Sequence, residues 1–240
     1  MSTQAQPVPF DDPSSYVDRF GLLLALTVFA IIAQSLVDVR DPFGEVGSEL
    51  GIAVVTLLVG AMFLLALRAS GVTRRWQLIA DLLIGVSVAL VLGVLAADVL
   101  TDHDFSSVHT DGSSTLWFVL AALTPIAVVR RLLTHRQVTR GTVLGAIAAY
   151  LLIAVAFNYA FLAADASQTP FFGQPEPTTS FMYYSLVSAT TLGYGDLAAA
   201  TNLGRLLSTS EAVIGQVFLV TFVAMLVGLL AQTWRPRAAE

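Results

Sequence analysis

The stretch Ser188-Ala189-Thr190-Thr191-Leu192-Gly193-Tyr194-Gly195-Asp196 decides the architecture of this chain. It stands between two apolar runs, Thr142–Leu162 and Leu206–Gln232. A helix needs about 20 residues to cross the hydrocarbon core of a bilayer, and both runs reach that length. Directly before it lies an aromatic run, Thr178–Ala189, that is too short to cross. A half-length helix and a glycine-containing segment are therefore set between two spanning helices. Gly193 and Gly195 tolerate positive φ at little cost. Thr178, Thr179 and Ser180 are residues of the type that caps a helix N-terminus.

Composition places the whole chain in the same solvent. Of its 240 residues 56% are hydrophobic and only 12% are charged, and the mean hydropathy is +0.77. A soluble domain carries about a quarter charged residues. Absence of cysteine excludes disulfides and thiolate metal sites. The net charge of −5 does not suggest nucleic-acid binding. Four more apolar segments precede the two already named: Arg19–Val37, Leu50–Arg68, Trp76–Val99 and Thr115–Leu133. All six are expected to be helices, because isolated strands cannot cross lipid.

The loops set the orientation. Arg68, Arg74 and Arg75 follow the second segment, Arg130, Arg131, Arg136 and Arg140 the fourth, and Arg235 and Arg237 the sixth. The alternate loops are acidic, with Asp38, Asp41, Glu45 and Glu49, then Asp98, Asp102, Asp104 and Asp111, then Asp165 and Glu176. Arginine marks the cytoplasmic side. Both termini are expected in the cytoplasm, with the 188–196 stretch on the outer side of a multi-pass cell-membrane protein.

The TLGYGD within that stretch resembles the selectivity filter of potassium channels, whose usual form is TVGYG. Thr, both glycines, Tyr and Asp agree in order, and the flanks agree too. The resemblance implies a potassium channel with an all-α membrane fold: six transmembrane helices, a re-entrant pore helix and a filter loop. It implies potassium ions bound at Thr191, Leu192, Gly193 and Tyr194, with Gly195 completing the filter and Thr191 adding a hydroxyl. Turning successive carbonyls one way requires alternating backbone conformations, some with positive φ. One chain supplies one such segment and a ring needs four, so a homotetramer of this chain with three identical subunits is expected. No cofactor is expected beyond the potassium ions. The domains are a cytoplasmic tail over 1–18, a four-helix membrane domain over 19–137, a pore domain over 138–235 and a tail over 236–240.

The same resemblance assigns filter support to Tyr183, Tyr184, Thr190 and Asp196. Tyr183 and Tyr184 stand where the family often has a tryptophan pair, and Asp196 would bond to the Tyr183 phenol. The C-terminal end of the pore helix would direct its partial negative charge at the ion pathway. Two departures are visible: Leu192 replaces the usual Val, and Val187 stands where some relatives carry a buttressing glutamate. Gly215, nineteen residues after Asp196, matches the family's hinge glycine, with close helix packing as the alternative. Glu211, one turn earlier, is an acid inside a membrane helix, either functional or bonded to the pore helix. Gly228 is a second hinge candidate, and Thr221 a candidate for lining the cavity.

The first four helices resemble a voltage sensor in outline only. Thr115–Val129 contains no arginine, and Pro125 interrupts it. With no charge inside the span, the helix gains almost nothing from the membrane field. Asp81 is expected to be an ordinary helix-start aspartate. The outer loop TDHDFSSVHTDG, with His103 and His109, lacks ligand spacing for a metal. The function expected is passive potassium-selective conduction without voltage gating. The alternative is a non-selective cation channel with a similar pore. A transporter of the related class carries four filter-like repeats, and this chain has one. No Ser-His, HExxH or paired-acid constellation suggests an enzyme.

Overall fold

The computed structural model describes residues 14–36, 57–68, 78, 81–82, 84–86, 88–89, 93, 106–134, 140–166 and 169–233. The regular elements among them are helices: α1 (Ser14–Leu36), α2 (Leu57–Arg68), α3 (Ser106–Thr134), α4 (Arg140–Asp165), α5 (Thr178–Ala189) and α6 (Asn202–Val217). A π-helical turn, Phe218–Val223, then joins α6 to α7 (Ala224–Thr233). Gly141–Asp165 and Asn202–Leu229 are long and apolar enough to cross a membrane. Phe20–Leu36 and Leu57–Arg68 are shorter apolar stretches. The acidic loop from Asp38 to Glu49, His103, and Arg74, Arg75, Arg136, Arg235 and Arg237 lie outside the described residues.

Several boundaries correct the sequence-based expectation. α1 begins at Ser14, inside the expected tail. α3 begins at Ser106, so the backbone at His109 and Asp111 is helical rather than loop. The expected spans were drawn from apolar length alone, and a helix need not stop where its apolar stretch does. Pro125 does not interrupt α3, which runs through it. One residue earlier, Thr124 Oγ1 donates to Leu120 O at 2.7 Å. Asp81 pairs with Arg68 at 3.8 Å, an exposed contact of little energetic weight.

The packing centre is α4, which touches α1, α3, α5 and α6. In lipid, helices gain little from hiding apolar surface and associate through close packing, which small residues permit. Helix α4 has the composition for this, with Gly145, Ala146, Ala148, Ala149, Ala154 and Ala156 all buried. A Cβ added at Gly145 would lie 2.8 Å from Phe20 Cδ1 and 3.0 Å from Leu132 Cδ2, so α1 and α3 both press on the backbone there. Asn158 Nδ2 donates to Gln34 Oε1 at 3.2 Å, a buried polar tie between α4 and α1. Phe63, Trp117 and Tyr159 join α2, α3 and α4 through ring contacts of 5.9 to 6.5 Å.

A second, aromatic cluster holds the start of α5. Phe161, Phe171 and Phe181 are fully buried, with Phe172 and Tyr184 against them. The Asp165 carboxylate accepts from Phe171 N at 2.8 Å, and Phe171 O accepts from Ala200 N at 2.9 Å. These bonds tie the chain before α5 to the chain after the TLGYGD segment. Thr201 caps α6, its side chain accepting from Gly204 N at 2.9 Å.

Candidate functional site

α5 spans Thr178–Ala189, as the aromatic run predicted, but its N-terminus is built differently. The residue before the first turn is Pro177, extended at φ −61° and ψ 153°, with no side-chain cap. Thr178, Thr179 and Ser180, expected as caps, already lie in the helix. Proline presets the entry angle, and Ser180 N turns back to Pro177 O at 3.0 Å.

The other end of α5 positions the site. A helix leaves its last four carbonyls without internal partners. Here each finds a donor. Leu186 O accepts from Thr190 N at 3.1 Å, Ser188 O from Thr191 N at 3.0 Å and Val187 O from Leu192 N at 2.9 Å. Ala189 O accepts from the Tyr150 phenol of α4 at 3.0 Å. The bonds from Thr191 and Leu192 form a Schellman ending, which requires a left-handed residue after the cap. That residue is normally glycine, and here it is Thr191 at φ +58°. A β-branched residue in that region is strained by roughly 1–2 kcal/mol. Backbone strain of this kind collects at functional sites.

From Thr191 onward the sign of φ alternates. Thr191, Gly193 and Gly195 are positive at +58°, +55° and +81°, while Leu192 and Tyr194 between them are not. The two glycines were expected at positive φ, and Thr191 was not. No sequence signal marked it, because threonine rarely fills this position. Residues Thr190 to Asp196 are all exposed in the single chain. A Cβ added at Gly193 or Gly195 would meet nothing within 4 Å.

The flanking aromatics divide their work. The Tyr183 phenol donates to Asp196 Oδ2 at 2.7 Å, joining the two groups the resemblance brings together. That bond holds the phenol above its ordinary pKa. The Tyr183 ring also stacks on Tyr194, centroids 6.3 Å apart and planes 3° apart. Tyr184 faces away from the segment, donating to Ser208 of α6 at 2.9 Å and packing among Phe161, Phe171 and Phe172. Within the chain Tyr184 anchors α5 rather than meeting Tyr194. Thr190 Oγ1 turns back on its own helix at Leu186 O, 2.6 Å. Val187 is buried, and Leu192 is exposed. An open recess of about 500 Å³ lies behind the segment, with Ser35, Tyr183, Val187 and Leu192 in its wall.

Against α5 stand two residues singled out from the sequence, Glu211 and Gly215 of α6. Glu211 is fully buried, and its carboxyl lies 2.5 Å from Ser185 Oγ. Gly215 sits within regular α-helix, where an added Cβ would lie 3.0 Å from Ala189 O. Close packing against the end of α5 is thus realised at Gly215. The irregular winding begins three residues later, at Phe218, and includes exposed Thr221, whose hydroxyl donates to Val217 O. A Cβ added at Gly228 would meet nothing within 4 Å among the described residues. Neither Tyr150 nor Ser185 was singled out from the sequence. A lone tyrosine or serine in an apolar helix usually needs a polar partner, which was the available signal.

Residues 143–232 match the family model described as "Ion channel". No curated protein and no solved structure matches the chain. The matched stretch runs from α4 to α7 and includes α5 and the alternating-φ segment. With two helices apt to cross a bilayer, it supports an ion channel domain over residues 143–232 of a membrane protein.

Proposed function

We propose that the chain is a potassium-selective channel conducting passively through a four-fold pore, with Thr191, Leu192, Gly193, Tyr194 and Gly195 as its filter. The observation that carries this reading is the alternating sign of φ at Thr191, Gly193 and Gly195. Alternation of this kind turns successive carbonyls to one side, and a row of carbonyls can replace the water shed by a potassium ion. The position of the segment supports this reading, because it follows α5 and lies in the chain between the two helices apt to cross the bilayer.

Four copies about one axis fit the pattern of exposure. Tyr194 is 68% and Leu192 59% exposed in the single chain. The window of Asn202–Leu229 is only 11% buried, against 61% for Gly141–Asp165. In a tetramer, neighbouring subunits would cover the segment and one face of α6, and lipid would cover the rest. Tyr183 and Asp196 would brace the outer end of the filter, Thr190 would seat its inner end, and Tyr184 would hold α5 to α6. The membrane domain would complete six spans with both termini in the cytoplasm. With no arginine from Thr115 to Val129, it would not act as a voltage sensor.

The test is potassium flux from liposomes holding the purified full chain, followed by reversal potentials under potassium on one side and sodium on the other. The proposal expects strong potassium preference and a particle of four subunits. Equal permeability would favour the non-selective reading. Conduction by a monomer or dimer would sink the four-fold filter.

A further inference from the structure

We infer that Glu211 is a neutral carboxylic acid that donates a hydrogen bond to Ser185, and that this donor positions α5 against α4 and α6. The protonation stands on hydrogen-bond geometry alone. Its consequence for conduction rests on the filter reading above.

The argument is a count of protons. Ser185 Oγ lies 2.7 Å from Ala154 O and 2.5 Å from Glu211 Oε1, both within hydrogen-bond distance. A serine hydroxyl has one proton, and a backbone carbonyl has none. If Ser185 gave its proton to Glu211, its oxygen and Ala154 O would face each other at 2.7 Å as two acceptors. If Ser185 gives it to Ala154 O, the contact with Glu211 needs a proton from the carboxyl. Only the second arrangement satisfies both contacts. It forms a chain from Glu211 of α6 through Ser185 of α5 to the Ala154 carbonyl of α4.

The other carboxyl oxygen agrees. Glu211 Oε2 is buried and has no hydrogen-bond partner. In a carboxylate that atom would carry half a negative charge with nothing donating to it. In an acid protonated at Oε1 it is a neutral carbonyl oxygen, far less costly to leave alone. Among the described residues no cation pairs with Glu211; Arg205, on the same helix, is exposed and donates to Ala199 O at 3.1 Å. α4 presents Tyr150, whose phenol is used on Ala189 O, and α5 presents Ser185. Glu211 joins no ion pair there.

The position gives the proton a use. Ser185 lies at mid-length in α5, and Tyr150 holds its last carbonyl. These two side-chain ties fix α5 to α4, and the Glu211 contact fixes it to α6. The helix end so held sets the Schellman turn at Thr191, from which the alternating segment starts. Glu211 is thus a positioning residue that acts through Ser185, not a ligand for ions.

Infrared difference spectroscopy on the reconstituted full chain tests the protonation whether or not the protein conducts. The expected result at neutral pH is a protonated-carboxyl C=O band that disappears in Glu211→Gln. In Ser185→Ala the band should move to higher frequency, because the acid loses its acceptor. No band difference between parent and Glu211→Gln, or an unmoved band in Ser185→Ala, overturns the inference. Potassium flux tests the positioning. Glu211→Gln keeps a donor at the same place and should conduct at the parent level, whereas Glu211→Leu should lose selective flux. Loss of flux in Glu211→Gln with its assembly intact would overturn the donor role. A parent without potassium flux would overturn the filter reading instead, leaving the infrared result to decide the protonation.

Discussion

Replacing Gly215 by alanine separates a packing role from a hinge role. Alanine in a helix interior is favoured over glycine by about 1 kcal/mol. If Gly215 served only to let α6 bend, Gly215→Ala would stiffen that helix and raise its stability by about that amount. The structure predicts the opposite sign. The new Cβ would lie 3.0 Å from Ala189 O, 3.5 Å from Ala189 Cα and 3.6 Å from its carbonyl carbon. All three are backbone atoms, so no flexible side chain can swing away. Ala189 O is also held by Tyr150. Overpacking of this kind costs about 1–3 kcal/mol, which leaves a net loss of up to about 2 kcal/mol per chain. Relief requires the end of α5 to shift, and Thr191 begins two residues beyond Ala189. The expected outcome is a lower melting temperature in detergent together with reduced potassium-over-sodium selectivity. Gly228→Ala in α7 is the control, since nothing lies within 4 Å of its Cβ. It should melt at or above the parent. A Gly215→Ala protein that melts as high as the Gly228→Ala control, keeps its selectivity and differs only in open probability would refute the packing argument.

Three further outcomes follow from the same geometry. Gly193→Ala and Gly195→Ala each place a Cβ at positive φ, a strain of roughly 1–2 kcal/mol, with no neighbour in the chain to clash with. Both should insert normally yet lose selective potassium flux, and parental selectivity in both would remove TLGYGD as the filter. Tyr183→Phe deletes the donor to Asp196 and should shorten sustained conduction in single-channel records; unchanged open times would leave that bond without a role. In the parent, the bond raises the Tyr183 pKa, so its contribution is complete below the ordinary tyrosine value of about 10 and is lost as pH rises through the raised value. Arg130→Gln combined with Arg131→Gln should leave the dependence of open probability on voltage unchanged, because the rest of that span carries no arginine. A steep voltage curve that flattens in the double mutant would make the four-helix domain a working sensor.

The parts of the fold legible in the sequence were those set by strong local rules. The half-length of α5 was visible from its short aromatic run, and Gly193 and Gly195 at positive φ from residue type. Helix ends were less legible. Apolar length marks where lipid ends, and α1 and α3 continue past that point because nothing stops them. The start of α5 was placed correctly but its cap was misassigned, because three cap-forming residues follow a proline that already sets the entry angle. Thr191 escaped because a Schellman ending with threonine in the left-handed position breaks the residue preference that would have announced it. Contacts distant in sequence were the least legible. Tyr150 with Ala189 and Ser185 with Glu211 are separated by 39 and 26 positions, and no local pattern links them. Glu211 was read as an acid within a membrane helix, either functional or bonded to the pore helix, and the geometry adds its burial and its partner. The π turn at Phe218–Val223 contains no glycine or proline of its own and had no sequence signal.

The central claim is that the alternating segment from Thr191 to Gly195 selects potassium. The most direct measurement is the reversal potential of the purified full chain in a planar bilayer, with equal potassium and sodium on opposite sides. The account predicts a large potential with the sign of potassium permeation in the parent, collapsing toward zero in any Gly193→Ala channels that still conduct. A reversal potential near zero in the parent, or one unchanged by Gly193→Ala, would contradict it.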